Sequence, residues 1–255
     1  MKGVVRRPFF NPFTYWERNL MEWGKDKKRA NMYIDGFNFY YGVFKGEGSY
    51  QRNKYKWLDF VKLGELMLCN YNVVMVKYFT AMVNGFDDPH KPTRQNIYWD
   101  ALEAVGGNRL EIIKGNFLTK SIKRPIAYYS KKYEKNGNQP IRQSITVMNN
   151  EEKGSDVNLA IHLVYDAVKD CYDTALVLFN DSDLATAIKI VKRKLKKKVI
   201  IANPQHFRKK PIAVDLKKIH TSIKDIRIEH LKNALLPEEV EIGDGRKVHR
   251  PPSWS

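Results

Sequence analysis

Carboxylates recur at three points where an apolar run gives way to a polar turn. Asp35 lies in Met32-Tyr-Ile-Asp-Gly-Phe-Asn38, Asp156 in Glu152-Lys-Gly-Ser-Asp156, and Asp181 and Asp183 in Leu178-Phe-Asn-Asp-Ser-Asp183. In an open α/β sheet, turns of this kind gather at the carboxyl ends of the strands, where such folds bind ligands. Two carboxylates about 5 Å apart, at an effective dielectric of about 20, repel by about 3 kcal/mol. A divalent cation with oxygen ligands removes that cost, so the pattern predicts a metal-dependent hydrolase. Gly36 lets the backbone turn closely beneath a ligand, and the Asn38 amide can orient a water or a phosphate oxygen. Each acid also suits a plainer role, capping the positive end of a helix.

The elements needed to position these residues follow from apolar periodicity. Strands are predicted at 31–34, 73–83, 110–118, 174–179, 198–202 and 223–228. Helices are predicted at 57–68, 94–105, 156–169, 183–195 and 212–219. Their alternation predicts an α/β, Rossmann-like, mostly parallel sheet with helices on both faces. On the helix from Asp156, helical spacing groups Asp156 with Ala160, Leu163 and Ala167 towards the core. Asn158, His162, Tyr165, Asp166 and Lys169 form the polar face. Asp183 shares a side with Ala187 and Val191. Between the third strand and residue 138 the chain reads as an irregular basic stretch, a substrate-facing loop or hairpin or else a solvated insertion.

The 255 residues carry a formal net charge of +17, which favours a polyanionic partner. Acidic membranes compete for that role, but no apolar run approaches the roughly 20 residues needed to span a bilayer. A soluble cytoplasmic protein is expected. Cys69 and Cys171 are too few for a disulfide framework and are expected to be reduced and buried. The six histidines show no metal-ligand spacing and none falls in the acidic motifs, and His162 is expected at the surface. Residues 1–30 interleave Arg and Lys with Phe, Tyr and Trp, as a tail that docks on the domain or a second subunit, or as a nucleic-acid arm. The expected organisation is this extension, a domain over 31–230, and a strap or tail over 231–255. Phosphate contacts are expected from Lys120, Lys123, Arg124, Lys131, Lys132, Lys192, Arg193 and Arg208.

Taken in order, Ile34-Asp-Gly-Phe-Asn38, Glu152-Lys-Gly-Ser-Asp156 and Asn180-Asp-Ser-Asp183 resemble the NYN domain of the PIN-like nuclease superfamily, in its LabA-like branch, over about residues 31 to 230. The resemblance implies a Rossmann-like sheet, an acidic pocket binding Mg²⁺ or Mn²⁺, and hydrolysis of RNA phosphodiesters, as an endonuclease. Carried over by position, Asp35, Asp156, Asp181 and Asp183 become metal ligands and Asn38 positions substrate or water, with Glu152 a further candidate. Asn180-Asp181 stands where relatives often have Gly-Asp, a departure that keeps the carboxylate. The rival reading is a non-catalytic module binding RNA or DNA. An aspartyl phosphatase wants a second acid two residues after the first, where Phe37 stands. A dehydrogenase wants G-x-G-x-x-G after the first strand, which is missing.

Overall fold

The computed structural model describes residues 27–46, 48–86, 88–125, 144–219, 222–243 and 245–254, with backbone alone at 117–119 and 150–153. The basic aromatic stretch at 1–26, and Lys131 and Lys132, lie outside the described residues. Six parallel strands form the centre of one sheet in the order β3-β2-β1-β5-β6-β7: β1 Arg29–Asp35, β2 Asn72–Ala81, β3 Leu110–Pro125, β5 Thr174–Leu178, β6 Lys198–Ala202 and β7 Ser222–Lys224. An antiparallel strand, β4 Ser144–Lys153, adds to the β3 edge. The sheet is the mostly parallel α/β architecture that the alternation of elements predicts.

Two apolar layers flank the sheet. On one face, α1 Gly36–Phe44, α2 Phe60–Met67, α3 Lys91–Gly106 and α7 Ile228–Asn233 close over Met32, Ile34, Leu176 and Ile200. On the other, α4 Ser155–Val168, α5 Ala185–Arg193 and α6 Val214–Ile219 cover Tyr33, Val177, Val199 and Ile201. Strands buried on both faces read as continuous apolar runs, which is why β1, β5 and β6 are legible in the sequence. The end of the chain packs as a strap: β8 Glu239–Glu241 pairs with β9 Lys247–His249. Beyond it the Trp254 ring lies 5.7 Å from Tyr98 and 6.4 Å from Trp57. Trp57 donates its indole N–H to the Pro237 carbonyl at 2.6 Å.

Several expectations need correction. The basic stretch after Leu118 is not irregular at its start. β3 pairs with β2 only as far as Gly115, then runs on with β4 as a ribbon from Asn116 to Pro125. At about 3.3 Å per residue, the ribbon reaches about 30 Å past the end of β2. β4 and α1 are absent from the periodicity reading, and Ile228 opens α7 instead of ending a strand. Both cysteines are exposed, because each stands in the turn that closes a helix before the next strand. Among the described residues, no helix is long and apolar enough to cross a membrane.

Candidate functional site at the carboxyl edge of the sheet

The strand order reverses between β1, which neighbours β2 on one side, and β5 on the other. In open α/β sheets the crevice at this switch point, outside the carboxyl ends of the strands, is where ligands bind. Ile34 pairs with Leu178, so Asp35 stands level with Phe179 and Asp181 follows two residues later. Gly36 is required at this turn: a Cβ there would lie 2.7 Å from the Phe79 carbonyl oxygen and 2.7 Å from the Tyr78 ring. The turn therefore runs directly against β2.

Asp35 is buried and caps α1, one carboxylate oxygen accepting the Asn38 N–H at 2.9 Å. The buried Tyr78 hydroxyl is pushed up to about 12, by desolvation above all, with the Asp35 charge adding to it. Asp181 caps a short 3₁₀ turn and accepts the Asp183 N–H at 3.2 Å. Asp181 and Asp183 are both exposed. Asp183 does not share the buried side of Ala187 and Val191, because the 3₁₀ turn over Ser182–Leu184 puts it out of phase with α5. Asn38 accepts from the Gln205 amide at 3.4 Å. Gln205 belongs to the turn after β6, on which α1 packs closely: a Cβ at Gly42 would meet the Pro204 carbonyl carbon at 2.6 Å. The following loop is tied down by Asn180, which donates to the Pro211 carbonyl and accepts from the Ala213 N–H.

Asp156 reaches the same edge by another route. β4 returns along β3, Gly154 turns with a left-handed φ of 99°, and α4 starts at Ser155. Asp156 is half-buried, while Ser155, Leu159, Leu163, Asp166 and Ala167 are the buried positions of the helix. Asp166 is thus on the core side and not on the polar face. Its carboxylate pairs with Lys77 on β2 at 2.8 Å and accepts the Tyr33 hydroxyl at 2.7 Å. His162 is half-buried against Phe79, with its Nδ1 3.1 Å from Lys77 Nζ. The sequence carries a signal for this group: Lys77 interrupts an apolar strand, and Asp166 continues the 159, 163 spacing of the buried leucines.

The structure brings Asp35, Asn38, Asp156, Asp181 and Asp183 to one edge, but among the described residues no three His, Cys, Asp or Glu side chains are grouped so as to hold a metal ion. Asp35 and Asp181 are engaged as helix and turn caps by the N–H groups of Asn38 and Asp183, so the carboxylates as folded are not grouped as the implied Mg²⁺ or Mn²⁺ centre requires. Nor does the first turn fit a dinucleotide pyrophosphate, because the N-terminus of α1 that would receive it is already capped by the Asp35 carboxylate. Of the expected phosphate contacts, Lys120, Lys123 and Arg124 lie exposed on the β3–β4 ribbon. Arg208 lies in the turn beside α1, its guanidinium Nε 3.3 Å from where a Gly46 Cβ would stand. Lys192 and Arg193 end α5, at the opposite edge of the sheet.

No protein-family model matches the chain. It is 28% identical over 248 residues to 6-hydroxy-3-succinoylpyridine 3-monooxygenase HspA of Pseudomonas putida (strain DSM 28022 / S16), an alignment covering 89% of this chain and 75% of that protein. A crystal structure of a protein of unknown function from Vibrio parahaemolyticus RIMD 2210633 overlays with a TM-score of 0.46 and 15% identity, over 80% of this chain and 95% of that one. The expectation of a divalent-metal-dependent nuclease is corrected by the first of these: the named relative is a monooxygenase, an oxidoreductase.

Proposed function

We propose that the chain is an oxidoreductase of the monooxygenase type that hydroxylates a small aromatic acid in the crevice between the ends of β1 and β5. The observation that carries this reading is the relationship to a monooxygenase across 89% of the chain. The reversal of strand order between β1 and β5 supports it, since open α/β sheets bind small molecules outside such a switch point. In such a reaction one oxygen atom of O₂ enters a ring C–H bond to give C–OH. The other leaves as water, with two electrons supplied by a reduced nicotinamide or flavin and the two protons by that cofactor together with solvent. The chain's own contribution is positional and acid–base. Asp35 and Asp181 accept protons or hydrogen bonds from a ring hydroxyl or N–H, and the Asn38–Gln205 amide pair fixes the ring's orientation. Cytoplasmic placement belongs to the same proposal, since the reductant is found there.

The test supplies the purified protein with 6-hydroxy-3-succinoylpyridine, O₂ and each reductant in turn, following oxygen uptake and the product mass. Uptake coupled to a gain of one oxygen atom is expected, and Asp35→Asn should abolish it. No substrate-dependent uptake with any reductant would sink the reading. A second reading, a non-catalytic module binding RNA or DNA, is favoured by the +17 charge and by the exposed cations of the ribbon. Salt-sensitive binding of labelled single-stranded RNA, lost when Lys120, Lys123 and Arg124 are replaced together, would support it.

A further inference from the structure

Tyr40 of α1 carries two ammonium groups close to its ring. Lys45 Nζ stands 5.7 Å from the ring centroid and Lys56 Nζ 5.4 Å. Arg94, in the first turns of α3, is near enough to act electrostatically on both Tyr40 and Lys56. Its own charge is matched by Asp88. Among the described residues, no carboxylate pairs with Lys45 or Lys56. Lys45 has a structural explanation, since it caps the C-terminus of α1, where a cation is favourable. Lys56 likewise stands at the C-terminal end of a helical turn, the 3₁₀ turn Tyr50–Tyr55, but unlike Lys45 it gives up water there. It is half-buried, and desolvation, then Lys45 and Arg94, push its ammonium down to about 8. A lysine that gives up water to face like charges is relieved by an anion.

The cluster and the Asp35 turn share α1. Tyr40 follows Asn38 on the same short helix, and the Tyr78 hydroxyl responds to both Tyr40 and Asp35. Beside it Phe37 and Tyr41 stack with centroids 6.5 Å apart, and Tyr41 is 50% exposed. The charge balance selects among anions. With Arg94 matched by Asp88, two ammonium groups remain, which suits one compact anion. A polyphosphate chain continuing towards Asp35, Asp181 and Asp183 would meet carboxylates of its own sign.

We propose that Lys45 and Lys56, with Arg94 behind them around Tyr40, form a subsite for the carboxylate of a small aromatic acid whose ring reaches the Asp35 turn. The identity of the ligand as an aromatic acid rests on the monooxygenase reading, whereas the anion site rests on the cations alone. Charge-assisted hydrogen bonds to one carboxylate are worth about ten- to a hundredfold in affinity.

Calorimetric titration of the full-length protein at neutral pH, with 4-oxo-4-phenylbutanoate and with its neutral carboxamide, tests the subsite. The acid should bind at least about tenfold more tightly than the amide, and Lys56→Gln should reduce the acid to the level of the amide. Lys45→Gln, at an exposed helix end, should weaken the acid severalfold. It carries the test if Lys56→Gln fails to unfold cooperatively. In lysine side-chain NMR, the bound acid should raise the midpoint of Lys56 from about 8. Equal binding of acid and amide, binding of neither, acid binding unchanged in both variants, or a Lys56 response to single-stranded RNA but not to the acid would each overturn the proposal. Because binding needs no turnover, a subsite that binds the acid in a protein that consumes no oxygen stands while the monooxygenase reading falls.

Discussion

Replacing Asp166 by Leu should be among the most damaging single changes available in the sheet and its covering helices. The Lys77 side chain is 10% exposed and that of Asp166 6%, with Nζ and Oδ2 2.8 Å apart. Removing one partner of a buried pair leaves the other uncompensated, at a cost of about 3–5 kcal/mol. The Tyr33 hydroxyl, which donates to Asp166 at 2.7 Å, also loses its acceptor, adding about 1–3 kcal/mol. Two effects offset part of this. Glu111, 3.5 Å from Lys77 and 46% exposed, and His162 at 3.1 Å remain to solvate the ammonium. The new leucine also buries apolar surface worth about 1.5–3 kcal/mol. A net loss of about 3–4 kcal/mol results, read as a lower urea midpoint followed by tryptophan fluorescence. The double variant Lys77→Met/Asp166→Leu removes both charges and should recover most of the loss, ending within about 1 kcal/mol of the parent. A single variant that costs less than about 1 kcal/mol, or a double variant whose cost is the sum of the two singles, would refute the buried-pair argument.

Gly36→Ala should cost about 2–3 kcal/mol in a thermal melt, because its Cβ meets the backbone of β2 and has no flexible neighbour to displace there; an unchanged melting temperature would show that the turn does not press on the strand. Asp173 is held below the usual carboxylate range chiefly by hydrogen bonding to Arg29, and Asp170 by Lys197 and then Arg29. Their contribution should be complete above the unfolded carboxylate value of about 3.9 and disappear as pH falls below it. Arg29→Met should therefore lose stability at pH 6 and show a flatter decline from pH 5 to 3, checked by denaturation at each pH. Lys56 titrates in the reverse sense to a stabilising lysine: the folded protein binds its proton less tightly than the unfolded chain. Its destabilising effect should be fully present below about pH 8 and relieved as pH rises towards the unfolded value of about 10.4. Lys56→Met should remove that rise in stability; a parent whose stability is flat across this window would contradict the assignment. Ending the chain at Leu236 removes the Pro237 acceptor of Trp57 and the Trp254 ring against Tyr98, and should expose Trp57, red-shifting its fluorescence.

The central sheet was legible because its strands are buried on both faces and its helices bury one. β6 spans the residues expected of it, and the acids fall at strand ends as their sequence context suggests. What was not legible is instructive in each case. α1 follows Asp35 with only Phe39, Val43 and Phe44 as its large buried side chains, too few to declare a period beside the surface aromatics of the same run. β4 is an edge strand with polar residues on a two-stranded ribbon, where neither face is covered and alternation carries no signal. Its charge puts Asp166 on the polar face in a residue-type reading, whereas the 159, 163, 166 spacing places it inward. The tertiary partner that makes its burial tolerable, Lys77, is 89 residues away and invisible to any local pattern.

The acids at the carboxyl edge show why residue type and spacing predict location better than chemistry. Strand order places Asp35 at the end of β1 and Asp181 just past the end of the adjacent β5. It does not require their oxygens to converge, and local backbone N–H groups already use them: Asn38 donates to Asp35, and Asp183 donates to Asp181. A carboxylate held as a cap has its orientation fixed by the turn it starts, so these two caps share an edge without being free to turn towards a common ligand. The cations around Tyr40 differ in kind. Lys56 ends the 3₁₀ turn Tyr50–Tyr55, a role that does not require its ammonium to lose water, and the cost of leaving it half-buried beside Lys45 and Arg94 is borne by the fold with no carboxylate among the described residues to offset it. Unmet charge of this sort, more than an acid at a strand end, marks where this molecule is built to receive a ligand.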